Sequence, residues 1–496
     1  MSAPAAILSG GRPRRRVELG LLFVGATAVL VATLLGSLAK TNALPAHIVE
    51  FIIGLVGISA IIQLVNRRLV PEADPILMPV ALVLNGIGYV EIQRIAPSEA
   101  GQQLAWTLLG LGVYTALLLI VRRSRDLERY RYLMLFAALL LLISPLMPVI
   151  DRSPANQYGE KLWVAFHGIE FQPVEIAKLL VVLYFASYLI EKRELLTIPT
   201  RRVGNHLLPD LRAFGPIVIA AAVSMLVILA EHDIGFSLIL FVVFLTMVWV
   251  TTGRWTYLLL GAVLFALATF AASHLLSQVN ERIAVWLDPW KYAQTGGYQP
   301  IQGELAFGRG GIFGSGIGLG LGGAVNPSTG TTLIPVATSD YIFAVIGEEL
   351  DFLGAAAVAI SFLLLVISGL RAALRARSPF ATLVAIGLTA TLGFQAFFIM
   401  AGVLRILPLT GVTMPFVSYG GSSLIANYAL LALLMRISNE ANQSPSSGSI
   451  PAISSTSGTA RIGATSRWRS ARATASEGRQ ARVQRPGGPE QTSSAR

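Results

Sequence analysis

The sequence predicts an all-α polytopic membrane protein of about twelve transmembrane helices, with both termini cytoplasmic and one long extracytoplasmic loop. Three observations carry this. Of 496 residues, 54% are hydrophobic and only 13% charged. The apolar residues fall in runs of about 18–25, which at 1.5 Å per residue suffice to cross a hydrocarbon core. Most of these runs lack the amphipathic periodicity of a soluble helix, and basic residues gather in alternate connections between them.

The spans are expected at about 17–39, 47–65, 73–93, 103–121, 131–149, 172–190, 213–230, 234–252, 255–275, 340–369, 380–401 and 415–436. With the N-terminus inside, the cytoplasmic connections carry Arg67 and Arg68, then Arg122, Arg123, Arg125, Arg129 and Arg131. Lys192, Arg193, Arg201, Arg202 and Arg212 come next, then Arg254, and then Arg371, Arg375 and Arg377. The opposite connections hold scattered cations such as Arg94, Arg152 and Arg405. Twelve spans satisfy the positive-inside rule at every loop, whereas an odd number would invert half of them.

The net charge of +11 lies largely in residues 1–16, the loops and the tail. Basic loops beside spans are a topology signal, so nucleic acid is not an expected partner. The chain has no cysteine, which excludes disulfides, thiol nucleophiles and thiolate metal sites. Residues 1–16 read as a basic cytoplasmic N-terminus leading into a retained first span, and no cleavable leader is evident. Residues 17–440 form the transmembrane domain. Residues 441–496 are rich in Ser, Gly, Ala and Arg and cannot bury a core; a disordered basic cytoplasmic tail near anionic membrane lipids is expected.

Two outer segments, at about 150–171 and 276–339, are too long to be turns, and long loops in compact structures tend to be functional. The second is rich in Trp, Tyr and Gly, so any chemistry is expected on the outer face. Ionisable residues at membrane depth need a reason to be there. Glu175 and Lys178 are three residues apart and share a helix face, as a packing pair or as a phosphate-facing lysine with its orienting acid. Glu231, His232 and Asp233 sit on a very tight outer turn. Asp340 opens a span directly after the long loop, either as a helix cap or as a general base facing a cavity, where partial burial raises a carboxyl's pKa. Glu348 and Glu349 are expected to lie deeper in that span as hydrogen-bonding groups.

The glycine run 308–323 contains Gly318-x-Gly320-x-x-Gly323, a formal dinucleotide fingerprint. No βαβ unit surrounds it, and close packing of loop backbone against the membrane or a ligand is expected instead. No P-loop and no metal-ligand cluster are present, so no cofactor is evident, although the chemistry leaves room for a divalent cation. Ser418, Tyr419, Gly420, Gly421, Ser422 and Ser423 open the last expected span, with small residues allowing close helix approach.

Together these segments resemble the SEDS family (shape, elongation, division and sporulation). Gly159 with Trp163 resembles its Gly-x-x-x-Trp segment. Gln172-Pro173-Val174-Glu175 with Lys178 is similar to Gln-Pro-Ser-Glu…Lys, with Val174 in place of Ser. His232-Asp233-Ile234-Gly235 resembles Pro-Asp-Leu-Gly. Asp288-Pro289, Gly297-Tyr298-Gln299 and Gln302 look like the long-loop signature. Ser339-Asp340-Tyr341-Ile342-Phe343 with Glu348-Glu349 resembles Thr-Asp-Phe-Ile-Phe…Glu-Glu, and 415–423 matches the closing motif. Many members carry an acid where Tyr292 stands, and Asp288 is its nearest substitute. Members commonly have ten spans; two extra N-terminal spans and a long tail resemble the actinobacterial RodA branch.

The resemblance implies a glycosyltransferase that polymerises lipid II into peptidoglycan strands during cell elongation, on the outer face of the bacterial cytoplasmic membrane. It implies a class B penicillin-binding protein as transpeptidase partner. Asp340 matches the family's essential acid. Lys161, Lys178 and Arg309 are candidates for holding the departing pyrophosphate. Trp163, Gln172, Glu175, Asp233, Ser418, Tyr419, Ser422 and Ser423 are expected to bind substrate or support the site. The rival expectation is a flippase of lipid-linked precursors, which would show repeats, interrupted spans and mid-membrane acids.

Overall fold

The computed structural model describes residues 11–45, 47–147, 163–166, 169–194, 201–203, 206–208, 234–275, 277–312, 314–324 and 332–443. Within them the chain is helical apart from two short antiparallel hairpins. In one, β1 (Val164–Phe166) sets Val164 opposite Phe171 of β2 (Ile169–Phe171). In the other, β3 (Arg201–Val203) pairs with β4 (His206–Leu208).

The first four helices are α1 (Gly11–Thr41), α2 (Ile48–Leu69), α3 (Leu77–Ile95) and α4 (Pro97–Ile120). Then come α5 (Arg131–Ile143), α6 (Val174–Glu191), α7 (Ile234–Thr252) and α8 (Trp255–Leu275). Among the described residues, eight helices are long and apolar enough to cross a membrane. The expected span at 213–230 lies outside the described residues.

Large apolar side chains such as Phe23, Ile53, Phe136 and Phe270 point outward and are exposed. In water such a surface would be a liability; in a bilayer it is the solvated face. The core lies around α14 (Gly421–Asn442), whose apolar window is 94% buried against 11% for α2. Gly110 of α4 lets it approach α14 closely, because a Cβ there would stand 2.5 Å from the Tyr428 ring.

Arg15, expected in the basic cytoplasmic N-terminus, instead lies in α1 and is buried. Its guanidinium donates to the carbonyls of Val70 and Pro71 and pairs with Glu18. Asn66 donates to Glu18 at 2.6 Å and accepts from the Tyr114 hydroxyl at 2.6 Å. This polar network fastens α1 and α2 to α4, a strong tie where no water competes for the bonds.

Two expectations are corrected here. The segment 276–339, expected as one long extracytoplasmic loop, carries helices among its described residues. It holds α9 (Ser277–Leu287), a 3-10 turn (Trp290–Tyr292) and α10 (Tyr298–Gly310). The span expected at 340–369 is two helices, α11 (Ile342–Glu349) and α12 (Asp351–Arg375). Asp351 has φ +68°, a left-handed conformation in which a helix cannot continue. Its carboxylate then accepts from Leu353 N and, at 3.1 Å, from Gly354 N, restarting the chain as α12. The bundle closes with α13 (Pro379–Val403) and α14; Ser378 caps α13 by accepting from Ala381 N at 3.1 Å.

Candidate active site

Asp340 stands in the turn before α11 and lines a cavity of about 230 Å³. One wall is α9, which turns Gln278, Glu281, Arg282, Val285 and Trp286 toward it. These residues recur at helical spacing, so they form a single stripe. Gln299 and Pro300 at the start of α10 form a second wall, and Arg405 with Leu407, Leu409 and Gly411 a third. Arg282 donates to the carbonyls of Leu409 and Thr410 at 3.2 and 3.1 Å, tying α9 to that third wall. Trp286 Nε1 donates to Arg405 O at 3.1 Å, and the Arg405 guanidinium pairs with Glu304 at 2.8 Å. Two carboxylates, Asp340 and Glu281, and two guanidinium groups, Arg282 and Arg405, therefore line one cavity, a set suited to removing a proton and stabilising a departing anion.

The closing motif holds the Asp340 segment from behind. Ser418 Oγ donates to Ser339 O at 2.6 Å and accepts from Met414 N at 2.8 Å. Tyr419 N donates to Thr338 O at 2.8 Å, and its hydroxyl donates to Gln102. Asp340 itself accepts from Ser339 Oγ at 3.3 Å. The cap position of α11 belongs to Tyr341, whose side chain makes no cap bond, so Asp340 lies one residue ahead of it.

Glu175 and Lys178 pair in a separate small cavity whose lining includes Gln172 and Gln395. Lys178 Nζ also donates to Gln395 Oε1 at 2.7 Å, and Gln395 Nε2 donates to Thr413 O at 2.9 Å. Gly411 borders both this cavity and that of Asp340. Ser422 Oγ accepts from Gln172 N at 2.8 Å, and Ser423 Oγ accepts from Thr413 Oγ1 at 2.7 Å. Gln172, Ser418, Ser422 and Ser423 thus form a frame that joins the start of α6, residues 413–414, α14 and the Asp340 turn.

Other expected residues fall elsewhere. Arg309 sits at the far end of α10 from Gln299, where its Nε donates to Glu348 at 2.6 Å. Trp163 is half-buried just ahead of β1. Asp288 accepts from Lys291 N at 3.3 Å and does not line the Asp340 cavity. Lys161, Glu231, His232 and Asp233 lie outside the described residues.

Part of the glycine run packs against protein carboxylates. Gly318 and Gly320 donate their N–H groups to Glu349 at 2.7 and 3.2 Å, and Leu321 and Gly322 donate to Glu348 at 3.1 and 2.8 Å. Arg94, expected as a scattered outer cation, pairs with both Glu91 and Glu349. Glu348 and Glu349 are therefore the hydrogen-bonding groups that the sequence suggested. Among the described residues, no cluster of three or more acids or histidines could hold a metal.

Sequence reasoning missed Glu281, Arg282 and Trp286, and treated Arg405 as incidental. The helical spacing of 278, 281, 282, 285 and 286 was the available signal.

A family model for the FtsW/RodA/SpoVE cell cycle proteins matches residues 78–443. The chain belongs to that family. Among FtsW/RodA/SpoVE relatives, the peptidoglycan glycosyltransferase RodA of Mycobacterium tuberculosis is 36% identical over 453 residues, 89% of this chain and 94% of that protein. RodA of Mycobacterium leprae is 35% identical over 438 residues, 86% of this chain and 91% of that one. A probable peptidoglycan glycosyltransferase FtsW of Geobacter metallireducens is 30% identical over 389 residues, 77% of this chain and 98% of that one. The fold is similar to that of the crystal structure of Thermus thermophilus RodA, with TM-score 0.52 and 24% identity over 75% of this chain and 98% of that one. It is also similar to a chain from a structure of a peptidoglycan synthase complex that coordinates polymerisation and crosslinking. There the TM-score is 0.58 and the identity 25%, over 75% of this chain and 99% of that one. With eight helices long and apolar enough to cross a membrane among its described residues, the chain is a multi-pass membrane protein.

Proposed function

We propose that this protein is a peptidoglycan glycosyltransferase that polymerises lipid II at the outer face of the cytoplasmic membrane, with Asp340 as general base. The observation that carries this is the cavity itself, which Asp340 lines together with Glu281, Arg282 and Arg405, in a sequence without a P-loop nucleotide site. A lipid-linked donor brings its own pyrophosphate, so none is needed. Asp340 takes the proton from the acceptor GlcNAc 4-hydroxyl. That oxygen forms the new bond to the donor anomeric carbon while the bond from that carbon to the pyrophosphate oxygen breaks. Arg282 and Arg405 are placed to meet the departing charge. Residues 17–440 carry this activity, and 441–496 form a basic cytoplasmic tail. The names of the RodA and FtsW relatives support the activity. The synthase-complex likeness supports a crosslinking partner, a class B penicillin-binding protein.

One observation leans toward the flippase: the interruption between α11 and α12. It falls at the edge of the spanning α12 rather than at mid-span, and no other interrupted span occurs among the described helices.

The test is purified full-length protein with its transpeptidase and labelled lipid II. Asp340→Asn keeps size and polarity but cannot accept the proton, so polymerisation should fall about 10²–10⁴-fold while expression and partner binding survive. Normal glycan chains from this variant would remove Asp340 from the catalytic role. No polymer from the parent protein in detergent would favour the flippase.

A further inference from the structure

Far from Asp340, a second polar cavity of about 340 Å³ is unclaimed by the polymerase chemistry. It lies at the arginine-rich end of the bundle, which the positive-inside rule puts in the cytoplasm. Arg436 on its rim stands fifteen residues along α14 from Gly421, about 22 Å at 1.5 Å per residue. Three segments meet there: the connection from α4 to α5, the start of α13, and the last turns of α14.

Five arginines line this cavity, Arg122, Arg123, Arg125, Arg377 and Arg436, against one acid, Glu440. Glu440 is already engaged, because its two oxygens accept from Ser124 N at 2.7 Å and from Ser124 Oγ at 2.5 Å. Among the described residues none of the five arginines has an ion-pair partner. Arg436 is the most constrained of them. It is 7% exposed, and its two terminal nitrogens donate to the carbonyls of Leu69 and Leu118. Its Nε–H is buried with no acceptor among the described residues. A buried guanidinium with an unmet donor, among four cations nearer solvent, is incomplete without an anion.

We propose that this cavity binds the phosphate of an anionic phospholipid headgroup from the cytoplasmic leaflet. Arginine forks match phosphate oxygens, and a basic pocket between membrane helices meets such headgroups at its own depth. Its volume, about eleven times a water molecule's share of the liquid, leaves room for the glycerol beyond the phosphate. Ala376, Ala381 and Ile437 supply the apolar part of the wall. The bound headgroup joins α4, α13 and α14 at the end remote from the polymerase site.

Native mass spectrometry of the full-length protein tests this, with phosphatidylglycerol and phosphatidylcholine as probes. The parent should retain phosphatidylglycerol and not phosphatidylcholine. Arg123→Gln with Arg377→Gln removes two exposed cations and leaves Arg436 in place, so affinity should drop about thirtyfold. The tail arginines are common to both proteins, so the difference reports the cavity. Photo-crosslinkable phosphatidylglycerol adds a readout that needs no variant and should label peptides spanning 122–125 or 376–381. Equal retention of the two lipids, an unchanged affinity in the double variant, or labelling confined to the tail would overturn the site. Displacement of the lipid by millimolar inorganic phosphate would overturn the lipid as its ligand in favour of a soluble phosphate.

Discussion

Lys178 is where a catalytic and a structural role diverge most measurably. It is 3% exposed, and Glu175 beside it is 7% exposed. Lys178→Met keeps the stem and removes the charge, leaving the Glu175 carboxylate buried without its cation and Gln395 Oε1 without its donor. Breaking a buried pair from one side costs about 3–5 kcal/mol. One kcal/mol shifts a melting midpoint by about 2–4 °C in a domain of 150–250 residues; at twice that length, this variant should melt about 3–10 °C below the parent. The double variant Glu175→Gln, Lys178→Met removes both charges and should recover most of the loss. Melting in detergent is read beside polymerisation of labelled lipid II, normalised to folded protein. The double variant should keep most of its turnover, because the pair frames the site and does not line the Asp340 cavity. A Lys178→Met protein that melts with the parent yet makes no polymer would refute this and put the lysine on the substrate.

Three further outcomes are expected. Ser418→Ala deletes the bond to Ser339 O and the acceptor for Met414 N; a misplaced Asp340 should slow polymerisation by about tenfold to a hundredfold, with a lower melting point, both read in the same assays. Gly88→Ala on α3 puts a Cβ 2.1 Å from Val417 O, so the closing motif must shift and both melting point and turnover should fall; Gly57→Ala, with open space around it, should change neither. Reporter fusions within 191–212 should report the cytoplasm and fusions within 277–335 the outside, and a cytoplasmic signal from the long segment would invert the site.

Hydropathy made the helical bundle legible because it measures the same transfer to lipid that inserts each helix. The places where it failed are those where transfer does not discriminate. The break at Asp351 follows two acids, Glu348 and Glu349, which read as hydrogen-bonding groups inside one span; the left-handed backbone that ends α11 has no hydropathy signal of its own. The α9 stripe was hidden for the opposite reason: its polar and aromatic residues read as loop composition, although their spacing was helical. The glycine run was visible as a close-packing device, but its partners, Glu348 and Glu349, lie 26–31 residues away.

Partner identity accounts for the rest of the candidate site. The sequence marked Ser418, Ser422 and Ser423 together in one motif, as hydroxyls that bind substrate or support the site, without saying which groups they meet. Folded, each hydroxyl serves a different strut. Ser418 meets Ser339 at a separation of 79 residues, Ser422 meets Gln172 at 250, and Ser423 meets Thr413 at 10. None of the three lines the Asp340 cavity. The closing motif is therefore chemically rich yet acts by position. It fixes where α6, the Asp340 turn and α14 stand relative to one another, and Asp340 faces the cavity from the segment it holds. Substitutions in the motif should accordingly lower melting point and turnover together, whereas Asp340→Asn should lower turnover alone.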